Sequence, residues 1–391
     1  MQKEDRNSGF EHAVLSDIAF NRASLAGNEL EYVADAVDCG HIAGDGPYTK
    51  RVERLLEAEL SVSRALLTTS CTHALEMAAL LIDLQPGDEI IAPSFTFVST
   101  VNAFVLRGAR PVFADIRPDT LNIDEKKIAT LITGRTRAIF AVHYAGVGCE
   151  MDEINAIAGA HNIPVIEDNA QGIFGRYKGR RLGSLGSMAA LSFHETKNFT
   201  CGEGGALLIN DPAQVERAEI IREKGTNRSR FIRGQVDKYT WVDVGSSYVM
   251  SDILAAFLYA QLEARDQTIA RRRSIWERYF EGLEDWSKSA GAVLPYVPPH
   301  CDQSYHLFYL LMPSEAARDS LIRKLHGYGI QSVFHYLPLH LSGKGQEYGY
   351  ERGDIPVTED LSARLLRLPF HNGLDEYQQN YIIDAIKSGA A

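Results

Sequence analysis

Residues 192–211 read SFHETKNFTCGEGGALLIND, and how this stretch is taken decides the fold. An apolar run closes at Ser192 and Phe193, Lys197 follows, and Gly202, Gly204 and Gly205 lead into a second apolar run. Glycine tolerates positive φ, so the backbone can turn back here beside a crowded site. GEGG is not a P-loop, because no Gly-Lys-Ser/Thr with helical continuation follows it. A lysine is ordinarily a solvated surface charge. Whether Lys197 is more than that depends on what the rest of the chain brings near it.

Working outward, residues 64 to 211 alternate short apolar runs with amphipathic stretches, the pattern of βα units on a mainly parallel sheet. DEIIAPS, RPVFADI, RAIFAVHYAG, IPVIEDNAQ and AALSFH read as strands, while FVSTVNAFVLRG and EMDEINAIAGAH carry helical spacing. A polar and basic segment over 222–245 is followed by one helical stretch, MSDILAAFLYAQLEARDQTIARRRSIWERYFEGL. Prolines 295, 298 and 299 mark a crossing into a second region with HLFYLLM, a helix near 314–327, IQSVFHYLPLH and a helix near 374–388. The expected class is α/β, with a mixed, mostly parallel sheet flanked by helices and a smaller C-terminal α+β domain. The expected division is an N-terminal segment (1–25), a large domain (26–270), and a connecting helix with the small domain (271–391).

Composition narrows the function. The 391 residues are 45% hydrophobic with a net charge of −11, which argues against nucleic acid or an anionic membrane as the main partner. The five cysteines (39, 71, 149, 201, 301) include no CxxC pair, so neither zinc nor a disulfide framework is expected, and a reducing cytoplasm fits best. MQKEDRNSGFEHAVL lacks a signal-peptide core, and the most apolar helix candidate is interrupted by Glu76 and Asp83, so no membrane entry is expected.

In open α/β sheets the ligand sits at the carboxyl ends of the strands. Ser70, Cys71 and Thr72 stand where strand-like ALLTT gives way to a helix, so they either cap it or help offer its free N–H groups to a phosphate. Asp168 closes PVIED; it either caps the next turn or holds a proton on a heteroaromatic nitrogen, and Gln171 lies three residues on. Glu167 should face the opposite side of the strand. Phe95 and Phe97 share one side of PSFTFVS, and either is core or lies on a cofactor ring. With such neighbours, a desolvated Lys197 is able to form an imine with an aldehyde cofactor and then shuttle protons.

VIEDNAQ followed by SFHETKNFTCGEGGA resembles the core of the DegT family of sugar-nucleotide aminotransferases, which share the aspartate-aminotransferase fold (pyridoxal-phosphate fold type I). The likeness extends through AGDGPYTKRVE, PSFTFVSTVNAFVLRGARPVF, HYAGVGCEMD, EIIREKGTNRS and VFHYLPLH. It implies pyridoxal 5'-phosphate as cofactor, Lys197 as the Schiff-base residue and Asp168 as the partner of the ring nitrogen. Gln171 would meet the 3-hydroxyl, Phe97 would stack on the ring, and Ser192 with the Cys71, Thr72 and His73 region would hold the phosphate. The family's GxNxR element, which reaches into a neighbouring subunit, is GSSYV here, leaving Ser247 for one hydrogen bond. Members carrying histidine in place of the lysine dehydrate; this chain keeps the lysine.

REKGTNRSRFIRGQVDKYTW with GSSYVMSD is most similar to the branch that moves the amino group of glutamate to C4 of dTDP-4-keto-6-deoxy-D-glucose for surface polysaccharide, the enterobacterial common antigen. The resemblance therefore implies a dTDP-linked keto-sugar and L-glutamate as partners, and a homodimer. The basic run Arg222, Lys224, Arg228, Arg230, Arg233 and Lys238 either grips the diphosphate or forms salt bridges, with Arg228 and Arg230 the favoured contacts. His194, His335 and Tyr336, with His306 and His340, are candidates for the sugar pocket. A 3-keto or UDP-linked sugar, or a non-catalytic regulatory protein of this fold, are the alternatives. No metal ligand set is expected.

Overall fold

The computed structural model describes residues 17–388. Seven strands form the central sheet: β1 Arg64–Thr68, β2 Glu89–Pro93, β3 Arg110–Ala114, β4 Thr136–Val142, β5 Val165–Asp168, β6 Met188–Ser192 and β7 Gly205–Ile209. Their spatial order is β1-β7-β6-β5-β4-β2-β3, and all run parallel except β7, which is antiparallel to both neighbours. The reversal at β7 is the turn that the three glycines announced.

The strands are apolar on both sides because helices cover both faces. Leu66, Phe140, Ile166, Ala190 and Leu207 share one core with Ala74 and Ala78 of the helix Cys71–Leu81 and Phe104 of the helix Val98–Val105. Their sequence neighbours Ala65, Leu67, Ala189, Leu191 and Leu208 face the other way, onto the helices Pro47–Leu60 and Asp252–Glu263. The period of two thus sorts residues between layers even where the sequence shows no alternation.

The helical stretch after residue 250 is two helices, not one. It breaks at Ala264 (φ −85°, ψ 14°) into Asp252–Glu263 and Arg265–Ala290, so position 270 falls inside the second. That helix packs with Glu315–Gly327, Glu376–Lys387 and the antiparallel pair Tyr309–Leu311 and Leu365–Arg367 around Ile275, Tyr279, Phe308, Leu366 and Ile382. Ile18 bridges Ile330, and Phe370 N–H donates to Phe20 O, so residues 18–20 join this layer; residues 1–16 of the expected N-terminal segment lie outside the described residues. IQSVFHYLPLH forms no regular strand. Among the described residues, no helix is long and apolar enough to cross a membrane, and all five cysteines are free.

Glu167 is fully buried and accepts from His143 Nε2 (2.8 Å) and from Gly183, Leu185 and Gly186 N–H (2.7 Å each). His143 Nδ1 accepts from Cys149 N–H, which leaves its proton on Nε2. Burial opposes ionisation of Glu167, but these donors outweigh it and hold the carboxyl below its ordinary 4.5. The stability it contributes is therefore present above pH 4.5 and lost as pH falls through the lower folded-state value. Glu167→Gln is expected to cost about 3 kcal/mol at neutral pH and to flatten the acid limb of stability, as checked by urea unfolding across pH.

Candidate active site

The carboxyl ends of the parallel strands open into one cavity of about 640 Å³. Its floor and walls come from Ser70, Cys71 and Thr72 after β1, Thr96, Phe97 and Ser99 after β2, Val142, and Asp168, Ala170 and Gln171 at and after β5. Ser192, His194, Thr196 and Lys197 follow β6, while His306, His335, Tyr336, Arg367 and Phe370 close the opposite side.

The helix Cys71–Leu81 starts at this cavity. Ser70 is its N-cap, with extended backbone and a hydroxyl that accepts His73 N–H at 3.1 Å. The expected use of His73 N–H for a phosphate is corrected: that donor is already taken by the cap, and the His73 ring turns away to Thr69 and Tyr248. The N–H groups of Cys71 and Thr72 remain at the helix start, where the dipole favours an anion. The three glycines serve different ends. Gly202 has positive φ (85°), whereas Gly205 permits close approach, since a Cβ there would lie 2.4 Å from Cys71 N and 2.5 Å from Ser70 O. Gly205→Ala is expected to lower stability by about 1–3 kcal/mol and to shrink the rise in unfolding temperature on adding the cofactor.

Lys197 sits in the turn between β6 and β7, which is closed by Phe193 N–H to Gly204 O, Glu195 N–H to Gly202 O and Cys201 N–H to Phe193 O. Burial lowers its pKa below the ordinary 10.5; the Asp168 carboxylate opposes that shift and the Arg367 cation adds to it. Asp168 accepts from Thr100 Oγ1 (2.6 Å) and Ala170 N–H (3.2 Å), and Thr100 in turn meets Thr96 Oγ1 at 2.7 Å. Thr100 lies on the helix Val98–Val105, and no spacing in the sequence pointed to it.

Phe95 and Phe97 both approach the Tyr336 ring but differ in burial: Phe95 is 1% exposed, against Tyr144 and Tyr336, while Phe97, past the strand end at Pro93, is 56% exposed and lines the cavity. Gln171 is engaged at both ends of its amide, accepting Ala145 N–H (2.7 Å) and donating to Tyr336 Oη (3.0 Å). His335 Nδ1 meets Tyr144 Oη, and His306 Nδ1 meets Asn198 Oδ1. Burial, joined by the Lys197 and Arg367 charges, pushes both imidazoles well below their ordinary range, so they enter the site neutral.

The basic run stays out of this chain's cavity. Arg222 is buried against Glu53 and Asp45, Lys224 and Arg228 pair with Glu223, Arg230 with Glu216 and Arg233 with Glu219. Arg228 and Arg230, expected at the substrate, thus have carboxylate partners drawn partly from outside the run, and the local charge excess is cancelled. Ser247 is exposed, away from the cavity, and His340 is a core residue held by Ser94 and Glu359. Among the described residues, no group of three or more His, Cys, Asp or Glu side chains is placed to hold a metal ion.

The sheet order, the reversed seventh strand and a lysine facing an aspartate across the strand ends define a pyridoxal-phosphate enzyme of fold type I. Residues 23–387 match the DegT/DnrJ/EryC1/StrS aminotransferase family, and the chain belongs to it. It is 32% identical over 367 residues to the spore coat polysaccharide biosynthesis protein SpsC of Bacillus subtilis, covering 92% of this chain and 93% of SpsC. The aminotransferase TlmJ of Streptoalloteichus hindustanus superposes with TM-score 0.88 at 30% identity, covering 96% of this chain and 99% of TlmJ. Spr1654 of Streptococcus pneumoniae in its PMP form gives TM-score 0.88 at 27% identity, covering 96% and 98%, and its PLP form is also similar. The protein is a pyridoxal-phosphate-dependent transaminase.

The residues present fit that cofactor: a helix start with free N–H groups and no Cβ at Gly205 for the phosphate, Asp168 for a ring nitrogen, and Lys197 for the aldehyde.

Proposed function

We propose that the chain transfers the amino group of L-glutamate to C4 of a nucleotide-linked 4-keto-6-deoxy sugar, dTDP-4-keto-6-deoxy-D-glucose, in the synthesis of a surface polysaccharide. The observation that carries the reading is the convergence of the Lys197 amine and the Asp168 carboxylate in one cavity. Family membership and the polysaccharide role named for SpsC support a sugar acceptor; the likeness of the 222–250 segment supports C4 and dTDP.

When bound, pyridoxal phosphate supplies an electron sink for the carbon that loses a proton. Lys197 would hold the cofactor aldehyde and then move the proton, a role that an amine with its pKa lowered by burial suits. Asp168, fixed by Thr100, would stabilise positive charge at the ring nitrogen. Cys71 and Thr72 N–H and Ser192 would hold the phosphate, Phe97 would cover the ring, and the remaining N–H of Gln171 would meet its hydroxyl. His194, His335 and Tyr336 face the sugar.

In this reading residues 26–270 form the cofactor-binding domain and 271–391 the closing one. The enzyme works in the cytoplasm as a homodimer, with the loop carrying Arg228, Arg230 and Ser247 at the neighbouring subunit's site. Trp241, 75% exposed, with Phe231 and Tyr239, supports such burial by a second copy.

The test is direct. Purified protein given pyridoxal phosphate should turn yellow, borohydride should fix the cofactor to the Lys197 peptide, and glutamate should yield 2-oxoglutarate. A panel of dTDP- and UDP-linked 3- and 4-keto sugars, with products solved by NMR, then identifies the acceptor. An aminated 3-keto or UDP sugar would displace the C4 assignment, and coloured protein inert to glutamate and every keto sugar would favour a regulatory role.

A further inference from the structure

His306 lies where the chain crosses toward the core around Phe308, and its backbone is pinned from behind. Arg272, on the helix Arg265–Ala290, donates Nη2–H to His306 O (2.6 Å) and Nε–H to Tyr305 O (2.9 Å), and its Nη1 reaches Asn372 Oδ1 (3.3 Å). This guanidinium is 3% exposed and meets no carboxylate among the described residues, so its donors are committed to holding the turn.

The protonation of the ring follows from its neighbours. Asn198, next to Lys197 in the chain, donates Nδ2–H to Ser304 O at 2.8 Å. A carbonyl only accepts, so the amide orientation is set, and Oδ1 is the atom that meets His306 Nδ1 at 2.9 Å. Oδ1 also only accepts, which places the imidazole proton on Nδ1. Burial and the Lys197, Arg272 and Arg367 charges oppose a second proton. Nε2 therefore carries a bare lone pair; it has no partner among the described residues, and the ring lines the cavity. His335 differs, because its Nδ1 meets the Tyr144 hydroxyl, which can donate or accept and so leaves either tautomer open.

An enclosed acceptor needs a donor, since leaving it unpaired is costly. The carboxylates of an amino donor only accept, and its amine is consumed at the reacting centre. The hydroxyls of the sugar remain. His306 shares one cavity with Lys197 and lies within the field of its charge, so the hydroxyl in reach is one beside the ketone. In a 4-keto-6-deoxy sugar C3 carries a hydroxyl, whereas C5 carries the ring oxygen and a methyl group, neither of which donates. We propose that His306 Nε2 accepts the C3 hydroxyl of the keto sugar and selects acceptors hydroxylated beside the ketone, with Asn198 and Arg272 as positioning residues that present it. This rests on the sugar-acceptor reading above.

The test pairs dTDP-4-keto-6-deoxy-D-glucose with its 3-deoxy analogue in the half-reaction of the pyridoxamine form. The wild type should use the analogue about 30-fold less well in kcat/KM, as for one enclosed acceptor left without its donor. His306→Asn keeps a side-chain N–H for Asn198 but has no acceptor where Nε2 lies; it should slow the parent sugar about 30-fold, leave the analogue within about threefold and so erase the discrimination. His306→Gln gives up the Asn198 bond but places an amide where Nε2 lies, and should stay within about fivefold of the wild type with the parent sugar. A purely structural role predicts the reverse order of the two variants. Conversion by glutamate should change by less than about threefold throughout. Calorimetric titration of the pyridoxal form, which has no amino group to give, should show the same loss of sugar affinity in His306→Asn. The analogue on the wild type carries the test if a variant fails to fold. Equal use of the two sugars overturns the proposal, as does a His306→Asn loss shared by both sugars or by the glutamate half. A wild type that aminates no keto sugar, or only 3-keto sugars, overturns the parent reading and this one with it; a wild type active on the 4-keto sugar without discrimination overturns this one alone.

Discussion

Lys197→Ala is expected to abolish amino transfer, lowering kcat by at least about 10⁴-fold, the upper range for loss of a general acid–base group alone. The side chain has no substitute in the cavity: His306 and His335 are neutral and held through Nδ1 by Asn198 and Tyr144. Folding should survive, because the Lys197 amine makes no hydrogen bond among the described residues and the turn is closed by backbone bonds. Borohydride should no longer fix the cofactor to the chain. The wild-type amine must be neutral to capture an aldehyde, and burial has lowered its pKa. The capture rate should therefore climb with pH and level off below the ordinary lysine value of 10.5, measured by stopped-flow absorbance. Capture that keeps rising to that value would contradict the desolvated setting.

Asp168→Ala is expected to reduce kcat by about 10³-fold, near 4 kcal/mol, while the Kd for the nucleotide sugar shifts little. Thr100 and Ala170 N–H use only part of the carboxylate's accepting capacity, so an oxygen lone pair remains for a protonated ring nitrogen. Asp168→Asn keeps the shape without the charge and should fall almost as far; a near-normal Asn variant would mean that Asp168 merely caps the turn. Thr100→Val removes the donor that orients the carboxylate and should cost less than either.

What the sequence made legible was what strand ends make legible. Asp168 closes one apolar run and Lys197 stands in the turn after another, and parallel packing carries such ends to one edge of the sheet, so their meeting follows from pattern. Arg367 and Thr100 had no such sign: one lies about 170 residues beyond the lysine in a three-residue strand, the other within an ordinary helix. The basic run left a phosphate grip and salt bridges both open because Glu53 and Asp45, which neutralise Arg222, lie far upstream. Charge balance is a property of space, and a linear count does not show it. Phe95 and Phe97 could not be told apart by pattern, since the strand ends at Pro93 and only burial separates the core ring from the one that lines the cavity.

The reversed seventh strand has a further consequence. The turn bearing Lys197 is a hairpin stitched to its own neighbour, so the nucleophile rides on a segment closed by its own backbone hydrogen bonds. Of the groups opposite it, Arg367 ends a strand whose Leu366 lies in the core around Phe308, while Tyr336 packs beside Phe95 and Tyr144. Exchanging residues 305–371 between homologues should therefore swap what the enzyme recognises while leaving its chemical engine in place.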